Sequence, residues 1–330
     1  MEIRQNNSLQ NILVFGGAGY IGLELCRQLL ETGREVTIFD KLVHGSEGLS
    51  LLAPHPHLRL INADIRDIAA VNRALPGHQA AVLLAAVVGQ PACDLDPALA
   101  LETNYLAALN ILESCACHQV SRFVFTSTDS CYGAREGEKL DELSELAPLS
   151  LYAELKAKAE QRIISAPAHA GFSPVVLRLA TVYGLSYRPR FDLAVNLLVR
   201  EIALKKKAAI FSGEQWRPLV HVRDVAKAFI MALEAPASLV DHQVFNVGSN
   251  EQNVQFKTLG QLLADLDPDA TVDFVPATPD LRDYFVEFGK IKAVLGFAPS
   301  VGLFEGMQEI RREILAGFPK NPYDPKWRNA

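Results

Sequence analysis

A short apolar run, Ile12-Leu13-Val14-Phe15, leads directly into Gly16-Gly17-Ala18-Gly19-Tyr20-Ile21-Gly22, and a helical pattern continues to Leu30. Glycines at this spacing, after a strand and opening a helix, leave the chain few alternatives. One glycine permits the tight turn, one lets a bound group approach the backbone, and one lets the helix pack on the strand. The first N–H groups of a helix have no partner within it and attract phosphate. The unit therefore reads as a phosphate-binding strand–turn–helix, with Gly16, Gly19, Tyr20, Ile21 and Gly22 as candidate contacts.

Further strands are expected at Glu35–Phe39, Leu58–Ile61, Ala81–Ala86, Arg122–Thr126 and Val175–Leu179, separated by helical patterns. The longest helices are expected at Pro97–His118 and Leu151–Ala166. Strands apolar on both faces, alternating with helices, predict a parallel sheet covered on both sides. Beyond about residue 185 the rhythm weakens, with a helix from about Asp192 to Lys205 and a strand-turn-helix from Val220 to Leu233. The expected fold is α/β: a Rossmann-type doubly wound parallel sheet in residues 1–184, with a return segment at about 215–248. A smaller, interleaved C-terminal α/β substrate lobe would hold residues 185–214 and 249–330. Hydrophobic residues are 49% of the 330, enough for a large core.

Lys and Arg number 32 against 38 Asp and Glu, a net charge of −6. That balance offers nothing to a nucleic-acid backbone or an anionic membrane. The longest apolar stretch, Ala80 to Gly89, is about half of a membrane span. Five cysteines, an odd number without paired CxxC units, read as reduced thiols of a cytoplasmic protein, and no metal site is expected.

Asp40, closing the second strand, can accept from the adenosine ribose hydroxyls and would repel a 2′-phosphate, favouring NAD over NADP. Asp64-Ile65 follows the third strand, where Asp64 could accept from the adenine amino group or cap the next helix; Asp67 suits the cap better. Ala85, in Leu84-Ala85-Ala86, either leaves room for the second half of the cofactor or simply packs.

Tyr152-Ala153-Glu154-Leu155-Lys156 places a phenol and an ammonium on one helix face. The ammonium is expected to lower the phenol's pKa, so that the phenol can take a proton from an alcohol while hydride leaves the same carbon. Upstream, Thr126-Ser127-Thr128-Asp129-Ser130 puts hydroxyls at the C-terminal end of a strand, where ligands bind in such sheets or where they simply cap the strand.

With these residues the chain resembles the extended short-chain dehydrogenase/reductase family, of the nucleotide-sugar epimerase and dehydratase type. The likeness continues through Arg178-Leu179-Ala180-Thr181-Val182-Tyr183-Gly184 and Trp216-Arg217-Pro218-Leu219-Val220-His221. The resemblance implies that Thr128 binds the reacting hydroxyl, Tyr152 is the acid/base, Lys156 holds the nicotinamide ribose, and Asn104 supports the cofactor site. It places Arg217 and Arg282 as clamps on a nucleoside-diphosphate sugar, and Arg190 and Asn196 where the smaller lobe meets the nucleotide. It also implies a homodimer paired through the helices near 97–118 and 151–166.

Two departures bear on the reaction. Family dehydratases carry Thr-Asp-Glu where this chain has Thr128-Asp129-Ser130, so the base that removes the second proton is missing and Asp129 is left either as an acid or as a loop anchor. Family epimerases usually have Asn where Thr181 stands. The favoured reading is an NAD-dependent epimerase, acting at C4 by transient oxidation to a ketosugar. The alternatives are a dehydrogenase or ketoreductase, a 4,6-dehydratase, and, in a different class, a non-catalytic NAD-binding regulator.

Overall fold

The computed structural model describes residues 9–52, 54–135, 137–211, 213–276 and 283–329. In chain order its strands are β1 (Asn11–Phe15), β2 (Glu35–Asp40), β3 (Leu58–Asn62), β4 (Ala80–Leu83), β5 (Arg122–Thr128), β6 (Lys139–Leu140), β7 (Ser173–Leu179), β8 (Thr181–Tyr183), β9 (Lys207–Phe211), β10 (Trp216–His221), β11 (Gln243–Val247), β12 (Asn253–Gln255), β13 (Thr271–Val275) and β14 (Phe285–Val286). Seven form one sheet in the order β11-β7-β5-β4-β1-β2-β3, and every neighbouring pair is parallel.

Side chains alternate across a strand, so the unbroken apolar run of β1 feeds two layers. Ile12 and Val14 enter one core with Leu25, Val124 and Phe229. Leu13 and Phe15 enter the other with Phe39, Ile111, Phe125 and Ile163. The helix Tyr20–Glu31 and the helix Val222–Glu234 supply the first layer; Ala107–Cys117 and Leu151–Ile164 supply the second. Burying one such Phe contributes roughly 1.5–3 kcal/mol.

The sheet order turns back on itself at β1, which has β4 on one side and β2 on the other. Crevices at such a switch point, beyond the carboxyl ends of the strands, are where open α/β sheets take ligands. The expected strand at Ala81–Ala86 ends early, at Leu83. The N–H groups of Leu84 and Ala85 both donate to Phe15 O, at 2.8 and 3.0 Å, which bends the chain over the glycine turn. The expected helix at 97–118 is interrupted by a π-type turn over Glu102–Leu106.

The remaining strands form small sheets, β12-β10-β8, β13-β9 and β14-β6. The first two border a third core that includes Tyr183, Phe191, Leu259, Met307 and Trp327, whereas Leu140 of β6 and Val286 of β14 join the first core. No described helix is long and apolar enough to cross a membrane. All five cysteines are free thiols, and only Cys117 is exposed.

Candidate active site

A cleft of about 760 Å3 lies at the switch point, lined by the glycine turn, the ends of β2, β4 and β5, and residues of the smaller lobe. Gly16 has φ +83, a conformation that side-chain-bearing residues rarely adopt. A Cβ there would stand 2.5 Å from Ala85 N, and one at Gly22 would stand 2.3 Å from Gly16 O. The first glycine is thus fixed by the bend after β4, and the last by packing of the helix on the turn. Gly19, Tyr20, Ile21 and Gly22 all line the cleft, and Gly19 caps the helix with no side chain over its N–H groups. The Tyr20 hydroxyl is directed away, donating to Gly184 O at 2.7 Å.

Asp40 closes the second side. Its Oδ2 accepts from Ala18 N at 3.0 Å and its Oδ1 from Leu42 N at 2.8 Å. Burial raises its pKa, and the two amide bonds oppose that rise. Each oxygen keeps acceptor capacity for a further hydroxyl. Asp64 and Ile65 line the cleft as well. Hydrogen bonds from Arg66 hold the Asp64 carboxyl down to about 2, while Asp67 caps the following helix by accepting from Ala70 N at 3.0 Å. Asn104 stands behind the cleft, 1% exposed. Its amide accepts from Val87 N and donates to Val87 O, both at 2.8 Å, and so fixes the segment after β4 that carries Ala85 and Val87.

Thr128, Asp129, Tyr152 and Lys156 all line this cleft. β5 ends at Thr128, whose Oγ1 accepts from Ser130 N at 3.2 Å and starts a short helical turn. Ser150 caps the helix that carries the Tyr–Lys pair, accepting from Ala153 N at 3.3 Å. Neither the Tyr152 hydroxyl nor the Lys156 ammonium has a hydrogen-bond partner among the described residues; Lys156 Nζ lies 4.2 Å from the Phe125 ring centroid. Three ammonium donors at 2% exposure with no acceptor suit a ligand bearing hydroxyls, such as a ribose.

Here the electrostatics correct the expectation. The phenol is not lowered overall: burial pushes Tyr152 above its ordinary value. Burial also pushes Lys156 down, to about 8. Both groups have left water, and each loses its charged form more readily than the other can stabilise it. Asp129, 3% exposed, is raised to about 7, mainly by burial, although Tyr284 donates to its Oδ1 at 3.2 Å. Its Oδ2 is buried without a hydrogen-bond partner among the described residues.

A folded-state pKa above the unfolded value means that the unfolded chain releases its proton first as pH rises, so folding is progressively disfavoured between the two values. Asp129→Asn removes that penalty. Its stability advantage over the parent is expected to grow from about pH 4 to about pH 7, to a few kcal/mol, and then level off. Denaturant unfolding of both proteins across this range measures it; an advantage independent of pH would show that Asp129 is not the source.

Toward the smaller lobe a second cavity of about 240 Å3 shares Thr181 and Leu193 with the cleft. Arg217 lines it, donating from Nη1 to Trp216 O at 2.8 Å and lying over the rings of Phe256 and Tyr284. Arg190 lines the main cleft and pairs with Asp192. Asn196, expected at the nucleotide, is instead fully buried; its amide is spent on Gly184 N, Gly184 O and Arg190 O. It shapes the loop that follows β8 rather than facing the cleft, because the helix beginning at Ala194 turns it inward. Arg282 lies outside the described residues. His221 caps the helix Val222–Glu234, and Asp224 accepts from Ser300 and Val301.

The sequence reading missed Arg188, Tyr284, Phe256 and Asn329. Arg188 was visible as half of an Arg-Pro-Arg run; the others come from distant segments and carry no local signature.

A crevice of this kind, with an unpartnered phenol and ammonium beneath a glycine turn, belongs to a nucleotide-dependent enzyme of the dehydrogenase type. The chain is a member of the NAD-dependent epimerase/dehydratase family, whose model matches residues 12–248. It is 29% identical to a dTDP-glucose 4,6-dehydratase of Streptomyces niveus over 90% of each chain. It is 30% identical to an uncharacterised UDP-glucose epimerase, YtcB, of Bacillus subtilis, over 90% of this chain and 95% of the other. A UDP-glucose 4-epimerase of Thermotoga maritima, solved with UDP-glucose, shares the fold at TM-score 0.82 and 28% identity, over 94% of this chain and 100% of that one.

Proposed function

We propose that the protein inverts the C4 centre of a nucleoside-diphosphate sugar, using NAD held in the main cleft. The observation that carries this reading is the placing of Thr128, Tyr152 and Lys156 together in the lining of the glycine-turn cleft, with Ser130 where a dehydratase would need a glutamate. No glutamate is among the described residues that line the cleft.

NAD, when bound, supplies a reversible hydride acceptor. Gly16, Gly19 and Gly22 give its phosphates room, Asp40 takes the adenosine ribose hydroxyls, and Lys156 takes the nicotinamide ribose. Thr128 Oγ1 holds the sugar hydroxyl. Tyr152 removes that proton and returns it after the flat ketosugar has turned its other face. Positive charge near the phenol favours the phenolate, and oxidised NAD, when bound, would add to that of Lys156. Arg217, Thr181 and Arg190 are the groups available to the nucleotide's diphosphate. We assign residues 1–184 and about 215–248 mainly to cofactor binding, and 185–214 with 249–330 mainly to the substrate, with single residues of each set reaching the other's ligand.

Incubation with UDP- and dTDP-hexoses in deuterated water tests the reading. The expected product is the epimer, with the substrate hydrogen retained at the inverted carbon and no net NADH. Asp129 favours a second reading, 4,6-dehydration: a buried carboxyl near neutrality is suited to protonate a leaving water. One solvent deuterium on the carbon next to a new methyl group would establish that reading and end the first.

We further infer a cytoplasmic homodimer paired through the helices Ala107–Cys117 and Leu151–Ile164. Leu101 and Leu106, exposed at 43% and 46% beside this pair, support it. A light-scattering mass of one chain would end that reading.

A further inference from the structure

Residues 317–329 return to the main cleft, far in sequence from every motif that built it. Trp327 is buried in the smaller lobe's core, and its carbonyl accepts from Phe191 N at 2.9 Å. Lys326 Nζ meets Glu47 Oε1 at 3.1 Å, in the segment just beyond Asp40. Asn329 lines the cleft, and its N–H donates to Asp192 Oδ2 at 3.4 Å. Arg188, also lining the cleft and 3% exposed, pins this strap by donating from Nη2 to Lys326 O at 3.3 Å and Arg328 O at 3.1 Å.

Two polar atoms are left over. Arg188 Nε is a buried donor and Asn329 Oδ1 a buried acceptor, and neither has a hydrogen-bond partner among the described residues. Native proteins rarely leave such groups unmet without a ligand or water for them. One donor and one acceptor in the same cleft match a group that offers a phosphate oxygen and a hydroxyl close together, as a phosphorylated ribose does. Their location favours the adenosine end. Lys326 of the same strap meets Glu47 in the segment just beyond Asp40, and the charge of Arg188 opposes the rise that burial imposes on the Asp40 carboxyl.

We propose that Arg188 and Asn329, brought together by the 317–329 strap, form the far wall of the dinucleotide site and bind the adenosine ribose and its adjoining phosphate opposite the glycine turn. The strap thereby retains the dinucleotide through turnover. This rests on the cleft taking NAD, as read above.

Exchange of bound NAD for isotopically labelled NAD, and the Kd for NAD, test it in the wild type and in Asn329→Ala, Asn329→Asp and a chain lacking residues 317–330. Asn329→Ala is expected to weaken NAD about 5–10-fold and to speed its exchange accordingly. Asn329→Asp is expected to weaken it further, since a carboxylate repels phosphate, and removal of the strap should cost at least about tenfold. KM for the sugar nucleotide at saturating NAD should stay within about twofold for Asn329→Ala. Truncation also removes Trp327 from a core, so Asn329→Ala, melting as the parent does, is the decisive variant. Unchanged NAD binding in Asn329→Ala overturns the proposal, as does a raised sugar-nucleotide KM with NAD binding intact. A wild type that takes up no NAD sinks the cofactor reading and this proposal with it; a wild type that binds NAD beside an unaffected Asn329→Ala sinks this proposal alone.

Discussion

Tyr152→Phe is expected to lower turnover of the nucleotide sugar by about 10²–10⁴-fold, the usual loss when a positioned proton-transfer group is removed. The variant deletes one hydroxyl and nothing else that the fold uses. That hydroxyl has no hydrogen-bond partner among the described residues, so no donor or acceptor is stranded and the melting temperature should stay near that of the parent. The ring still packs with Cys93, Ala100 and Leu155, and Asp40 and the glycine turn are untouched, so NAD should be retained. Steady-state turnover beside a cofactor assay on the purified variant gives the comparison. Turnover within a few-fold of the parent would mean that the proton moves elsewhere, and the catalytic assignment would fall.

The second large effect is on stability. Glu160 lies one helical turn beyond Lys156 and pairs with Arg178 of β7, both side chains nearly inaccessible, at 3% and 4%. Arg178 also donates from Nη1 to the Tyr132 hydroxyl at 2.8 Å. That hydroxyl sits 2.8 Å from both Asp141 O and Asn246 Oδ1. The network ties the catalytic helix to the segment that follows Thr128 and to β11. Glu160→Ala leaves a buried guanidinium without its counter-charge, which costs about 3–5 kcal/mol. Turnover should fall with it, because Tyr152 and Thr128 lose their common anchor. Denaturant unfolding checks the first expectation; a loss below about 1 kcal/mol, the size of an exposed pair, would show that the guanidinium finds water or another acceptor.

The parts readable from sequence were those whose physics is local. Strand after apolar strand, with helices between, can only be buried as a parallel sheet. The glycine spacing demands a tight turn at Gly16 that no side chain would permit. Tyr152 and Lys156 share a face because they are four residues apart on a helix. Asn196 shows the limit: the family resemblance suggested a ligand contact, yet packing turned it inward to hold Gly184. The electrostatics of the Tyr–Lys pair were misjudged for a related reason. Spacing gives proximity along the helix but not the loss of water, and it is desolvation that sets both pKa values.

Residue order alone fixed the nucleotide-binding half, because turn geometry, strand patterning and helix periodicity are settled within a dozen residues. The tertiary structure decided what reaches the cleft and its neighbouring cavity from elsewhere: Asp129 raised toward neutrality beside Tyr284, Arg217 over its two rings, and Arg188 with Asn329. These contacts join segments up to 155 residues apart. Their energies come from burial and from unmet polar groups, quantities that exist only once the chain has closed around them.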